Sequence, residues 1–186
     1  MITTCVGLAG IAVLLLYDLV TLRHWRGRGV LALLGYGLHG GAILAATLAR
    51  ERCTLPVGSA GLGWLLFLPG FSWLIYSLFL FAPIANTYVV RDGPVLITSG
   101  PYACCRHPGL IGHALTIGGL VLVSRSTMLA RGGLIWIGAN LVYVLWQDQW
   151  LFPRLFPDYN DYKMTTPMLI PSRSSIRYLL NTWRLQ

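Results

Sequence analysis

Charge is what this chain has least of. It carries 6 acidic and 14 basic residues in 186 positions, and charged side chains make up only 11% of the total. A soluble domain carries about a quarter, so a water-covered surface is excluded over most of the molecule. Cysteine is equally sparse. Cys5, Cys53, Cys104 and Cys105 show neither C-x-x-C spacing nor the even framework of a disulfide scaffold. The pair Cys104-Cys105 reads as two small apolar fillers of a turn. No basic stretch precedes the first apolar block and no small-residue cleavage site follows it, so that block is not read as a cleavable signal. The basic residues flank apolar blocks rather than cluster on one element, which argues against nucleic acid. There is no internal repeat and no low-complexity tract.

What the chain does have is hydrophobic runs. It is 55% hydrophobic with a mean hydropathy of +0.64. The apolar residues fall in blocks at 2–22, 30–49, 61–82, 109–123 and 132–146. A bilayer takes about 20 apolar residues to cross. The first three blocks qualify, and the last two are short. The expectation is an all-α integral membrane protein of about five transmembrane helices, forming one polytopic domain over 1–186. Its first part, 1–90, holds the N-terminal helices, and 172–186 is a basic interfacial tail. Pro69-Gly70 should kink or break the third helix. Glycines and alanines in the last two blocks (Gly112, Ala114, Gly118, Gly119; Gly132, Gly133, Gly138, Ala139) suit a tight C-terminal helical hairpin.

The basic residues orient the spans. Arg23, Arg26, Arg28, Arg91, Arg106, Arg154, Lys163, Arg173, Arg177 and Arg184 fall on one side, against Arg50, Arg52, Arg125 and Arg131 on the other. By the positive-inside rule the N-terminus lies outside and the C-terminus in the cytoplasm, with the basic face toward anionic membrane lipids. Asp18 is read as pairing with Arg23 or lipid headgroups near the end of the first span. His39, in a glycine-rich stretch, and His113 are read as hydrogen-bonded packing residues. No second histidine or carboxylate sits at ligand spacing in the sequence from His113, which argues against a metal. Residues 86–96 suggest an extended stretch.

The polar segment 96–112, LITSGPYACCRHPGLIG, is the informative one. Gly100-Pro101-Tyr102 is a turn, and His107-Pro108 opens a helix, proline suiting the first helical position. Free N–H groups and the positive dipole end at that start suit an anion. If the hairpin returns its two ends to one boundary, Asp148 meets Arg106 and His107. Tyr159 and Tyr162, three apart, share one face of a short helix and read as an aromatic anchor at the membrane surface.

Leu96-Ile-Thr-Ser-Gly-Pro-Tyr102 followed by Arg106-His-Pro108 and Gly112 resembles the signature of the isoprenylcysteine carboxyl methyltransferase and phospholipid methyltransferase superfamily. Asp148 to Phe156, Tyr159, Tyr162, Thr166-Pro167 and Ile170-Pro171 resemble its closing motif, so the likeness covers about residues 94 to 171. The resemblance implies an integral membrane methyltransferase, with 91–171 as the catalytic core. S-adenosyl-L-methionine would be held at the cytoplasmic face and S-adenosyl-L-homocysteine released. Membrane lipids or a hydrophobic small molecule would be the acceptor, with no metal and no nucleic acid. By the family pattern, Pro94, Val95, Leu96, Ile97, Gly100, Tyr102, His107, Pro108, Gly109, Leu110, Asp148 and Gln149 would bind the cofactor, and Arg106, His107 and Asp148 would act in catalysis.

The residue types suit that chemistry. An Arg-His pair and a helix N-terminus match the cofactor carboxylate, and Asp148 matches its ammonium. Three positions depart from the pattern. Leu110 replaces a tyrosine, Asp148-Gln149 replaces an acidic pair, and Val144 stands where an arginine would meet a substrate carboxylate. The last points away from prenylcysteine and toward an uncharged or amine-bearing lipid or a small hydrophobic thiol. Two alternatives stay open: an NADPH-dependent enzyme resembling sterol reductases around their R-H-P-N-Y motif, and a non-catalytic membrane scaffold or lipid-binding protein.

Overall fold

A computed structural model describes residues 1–23, 28–81 and 95–183. Among these residues the chain is helical, with no β-strand and one isolated antiparallel bridge between Arg52 and Ser126. In chain order the helices are α1 (Ile2–Thr21), α2 (Arg28–Thr47), α3 (Ser59–Ile75, continued as a π-helix over Tyr76–Phe81), α4 (Pro101–Cys104) and α5 (Pro108–Ser124). Then come α6 (Thr127–Trp146, continued by a π-turn at Gln147–Leu151 and an α-turn at Phe152–Leu155), α7 (Tyr159–Thr165) and α8 (Arg173–Trp183). Among the described residues four helices are long and apolar enough to cross a membrane: α1, α2, α3 with its continuation to Phe81, and α6 with its continuation to Leu155. α5 is apolar but shorter. The expected extended stretch at 86–96 lies almost wholly outside the described residues.

Two expected boundaries change. α3 runs through Pro69 without a break. The last long helix starts at Thr127 rather than 132. Ser126 caps it: its Oγ accepts the N–H of Leu129 at 3.2 Å, which satisfies a donor that the first helical turn leaves free. The start is therefore set by the serine, and Arg131 lies inside the helix.

The described chain forms two compact units. One comprises Met1–Phe71 and His113–Tyr143. Its core is Ala42, Ala46, Ile117, Leu129 and Trp136, and Gly7 of α1 admits the large indole, since a Cβ there would lie 2.3 Å from Trp136 Nε1. The 51–53 segment is tied to the turn between α5 and α6, with Cys53 N donating to Arg125 O at 2.8 Å and Thr127 N to Glu51 O at 3.2 Å. Asp18 is 1% exposed, and Tyr143 donates its hydroxyl to it. Tyr143, on a distant helix, is thus a partner of this carboxylate that the sequence did not suggest. Glycine lets helices touch here. A Cβ on Gly119 of α5 would lie 2.5 Å from the backbone N of Phe67 and 2.7 Å from Gly63 O, both on α3. The small residues expected to join α5 to α6 are thus divided. Gly119 faces α3, Gly133 faces Ile117 of α5, and Gly118 and Gly138 face open space.

The other unit comprises Ser72–Gly112 and Val144–Gln186. Its apolar centre is Phe156, Tyr159 and Tyr162, with Leu96, Phe152 and Leu155 packed around them.

Candidate functional site

The second unit is built around one carboxylate. The π-turn at Gln147–Leu151 adds a residue to the helical repeat, and such insertions re-aim side chains, frequently at functional sites. Asp148 sits in it fully buried. A buried carboxylate is costly unless paired and hydrogen-bonded, and this one is saturated. Arg106 grips it bidentately, Nε to Oδ1 at 2.7 Å and Nη2 to Oδ2 at 3.1 Å. Tyr159 donates its hydroxyl to Oδ1 at 2.7 Å, and His107 Nε2 stands 3.3 Å from the same oxygen. Lys163 Nζ lies 3.2 Å from Oδ2, and Gln149 Nε2 donates to it at 3.4 Å.

Local sequence explains why the partners arrive there. Gly100 has φ of 56°, and a Cβ on it would strike the Phe81 ring at 2.2 Å, so only glycine fits. Pro101 then starts the single turn of α4, whose Tyr102 donates its hydroxyl to Ser77 O at 3.2 Å. From the other side Tyr162 donates to Tyr102 O at 2.6 Å. Pro167 holds the residue before it extended, which lays the 166–168 carbonyls along the loop. Pro167 O accepts from Arg106 N at 2.9 Å and Met168 O from His107 N at 3.1 Å. Arg106 Nη1 also donates to the carbonyls of Lys163 and Thr166. Two segments sixty residues apart are thereby laced across the end of α6.

Burial sets the titration of these groups. It lowers His107 below the usual histidine range, against the pull of Asp148, so the neutral ring donates Nε2–H to the carboxylate and stacks on Phe152. Burial also opposes charge on Arg106, but Asp148 outweighs it and raises the guanidinium above its usual value. The phenols of Tyr159 and Tyr162 are raised by burial, Tyr159 further by Asp148. The buried thiol of Cys105 and phenol of Tyr102 are each pushed up to about 12. The clasp is thus centred on the bidentate pair of Arg106 and Asp148, with the neutral His107 ring and the Tyr159 phenol donating to the same carboxylate.

The sequence-derived site residues fall into three groups. Arg106, His107, Asp148 and Gln149 are brought together. Tyr102, Pro108, Gly109, Leu110 and Gly100 shape the loop and the start of α5, with Pro108 O accepting from Trp73 Nε1 at 3.1 Å and Gly109 set against Leu78. Val95 is exposed, Leu96 joins the aromatic cluster, Ile97 is half-buried, and Pro94 lies outside the described residues. The N–H groups of Arg106 and His107, just ahead of α5, are taken by Pro167 O and Met168 O. Tyr159 and Tyr162 are buried donors rather than a surface anchor. Lys163 and the 166–168 carbonyls carried no sequence signal beyond the Y-x-x-Y and Thr-Pro spacing.

With both oxygens of Asp148 occupied, the carboxylate acts as a staple and has no lone pair in reserve for a metal or a proton. Among the described residues no three His, Cys, Asp or Glu side chains converge as a metal-binding group. Tyr159→Phe removes one charge-assisted bond, and the expected loss is about 1.5–3 kcal/mol, read as a lower melting temperature in detergent.

No protein-family model matches the chain, and no solved structure matches it. It is similar to the nickel-cobalt-cadmium resistance protein NccN of Alcaligenes xylosoxydans xylosoxydans, 32% identical over 102 residues, 52% of this chain and 47% of that protein. It is also similar to the cobalt-zinc-cadmium resistance protein CzcN of Cupriavidus metallidurans, 33% identical over 89 residues, 47% of this chain and 40% of that protein. The matched stretch thus spans less than half the length of either relative. Their names correct two expectations. The expected methyltransferase of lipid or hydrophobic acceptors is overturned by these names, which are of metal-resistance proteins, and the expected exclusion of metal from the partners is overturned with it. The physical side of the correction is the closed clasp: the Asp148 carboxylate on which that reading relied is engaged within the chain.

Proposed function

We propose that this chain is a multi-pass membrane component of resistance to divalent transition metals, with nickel, cobalt, zinc or cadmium ions as the substrates of the system it serves. The observation that carries the reading is its 32–33% identity, over about half its length, to two proteins named for resistance to those ions. The four helices able to cross a bilayer among the described residues fit a part that works where the ions enter or leave the cell. The charge asymmetry supports an N-terminus outside and a C-terminus in the cytoplasm. The hydrogen bonds between the 51–53 segment and the α5–α6 turn agree with that path, because it puts both on the outer side. The two-residue link between α5 and α6 supports a helical hairpin whose ends return to the cytoplasmic face and its clasp.

Deleting the coding sequence from its host tests the reading. The expected result is a lower inhibitory concentration for at least one of the four ions and no change for magnesium, a hard cation with different ligand preferences. Restoring the gene restores growth. Equal tolerance of all four ions with and without the gene would reject the proposal.

A further inference from the structure

Two histidines that look unrelated in the sequence touch in the unit formed by residues 1–71 and 113–143. His39 Nε2 of α2 lies 3.0 Å from His113 Nε2 of α5, and the two residues are only 9% and 5% exposed. Their outer nitrogens are held as well. His39 Nδ1 is 3.0 Å from Gly7 O, and His113 Nδ1 is 3.1 Å from Asn140 Nδ2. A carbonyl only accepts, so His39 carries its proton on Nδ1 and turns a bare Nε2 inward. His113 then donates Nε2–H to that lone pair and accepts from Asn140. The contact between the α1 and α2 backbones keeps His39 in place, since a Cβ on Gly10 would lie 2.7 Å from its backbone N. Trp136 packs edge-on against its ring at 5.7 Å.

We propose that His39 and His113 form a two-imidazole site for a borderline divalent cation such as cobalt, nickel, zinc or cadmium. Imidazole nitrogen suits this class of ion. Two nitrogens bound at 2.0–2.1 Å to a tetrahedral ion stand about 3.3 Å apart, so the pair opens by a few tenths of an ångström and both rings tilt to aim their lone pairs at an ion beside the line that joins them. The Gly7 carbonyl behind His39 is the kind of outer partner that orients metal-bound histidines. For His113 the proton on Nε2 moves to Nδ1, and the Asn140 amide turns so that its oxygen accepts it. Both rings are neutral before and after, and no net proton is released. Two positions on the ion are left for exchangeable ligands such as water or chloride, which suits a cation handed on rather than stored. The choice of cation class rests on the resistance reading; the site rests on the geometry.

The test is titration of the untagged, detergent-solubilised full chain with cobalt chloride, followed by visible ligand-field absorption. One cobalt per chain is expected. His39→Gln and His113→Gln should each weaken binding by about a hundredfold and Asn140→Ala by about tenfold, with metal-free melting temperatures reporting the fold. Should the glutamine variants misfold, Asn140→Asp, whose carboxylate accepts the His113 Nδ1 proton, should tighten binding instead. No saturable cobalt band in the wild type, or isotherms that none of these changes moves, would overturn the site. A chain that binds cobalt through these residues while its deletion leaves metal tolerance unaltered upholds the site and rejects the resistance reading. Tolerance without cobalt binding does the reverse.

Discussion

Asp148→Ala is expected to cost about 3–5 kcal/mol, the range for breaking a buried ion pair from one side, and to release the 159–168 segment from the loop before α5. The reason is what remains behind. Arg106 is 8% exposed, and without the carboxylate its guanidinium keeps the carbonyls of Lys163 and Thr166 but has lost its counter-charge. Tyr159 loses its acceptor and Lys163 its counter-charge. The loss should appear as a lower tryptophan-fluorescence melting point and faster proteolysis between residues 156 and 172. Pairing Asp148→Leu with Arg106→Met discriminates between causes. Apolar replacement of both members of a buried pair is often close to neutral, so the double variant should lose clearly less than the sum of the singles. Additive losses would show that the two residues act independently and that the clasp is not the centre of this unit.

The second large effect comes from adjacent glycines of α5. Gly119→Ala places a methyl 2.5 Å from Phe67 N and 2.7 Å from Gly63 O, backbone atoms that move only if α3 and α5 separate. Overpacking of this kind costs about 1–3 kcal/mol. At Gly118 a Cβ meets nothing within 4 Å, and alanine there should stabilise the helix by up to about 1 kcal/mol by restricting the unfolded chain. The two variants share composition, helix and propensity change, so opposite shifts in melting temperature isolate the helix contact. Equal shifts would mean that α3 and α5 do not pack through this face.

The pattern of what was legible follows from physics. The helices could be read because a bilayer requires continuous apolar runs and backbone bonds within each segment. Those signals are local, as is the proline that opens α5. The meeting of Arg106 and His107 with Asp148 was legible as an inference from a hairpin. The roles of Tyr159, Tyr162 and Lys163 were not. An aromatic near a membrane boundary looks the same in sequence whether it anchors to headgroups or donates into a buried carboxylate. The start of α6 was misplaced because Arg131 looked like an end, while Ser126, a cap, lay five residues upstream.

By itself the sequence determined that this chain is helical, apolar and asymmetric in charge, since hydropathy and positive-inside bias act residue by residue. Only the tertiary structure decided which polar groups share a partner. Asp18 met Tyr143 and His39 met His113 across 125 and 74 residues of chain. The N–H groups ahead of α5 went to the carbonyls of Pro167 and Met168. A buried polar group must find a partner somewhere, but nothing in its neighbours along the chain says where, because that choice is made by whichever helices come to lie side by side.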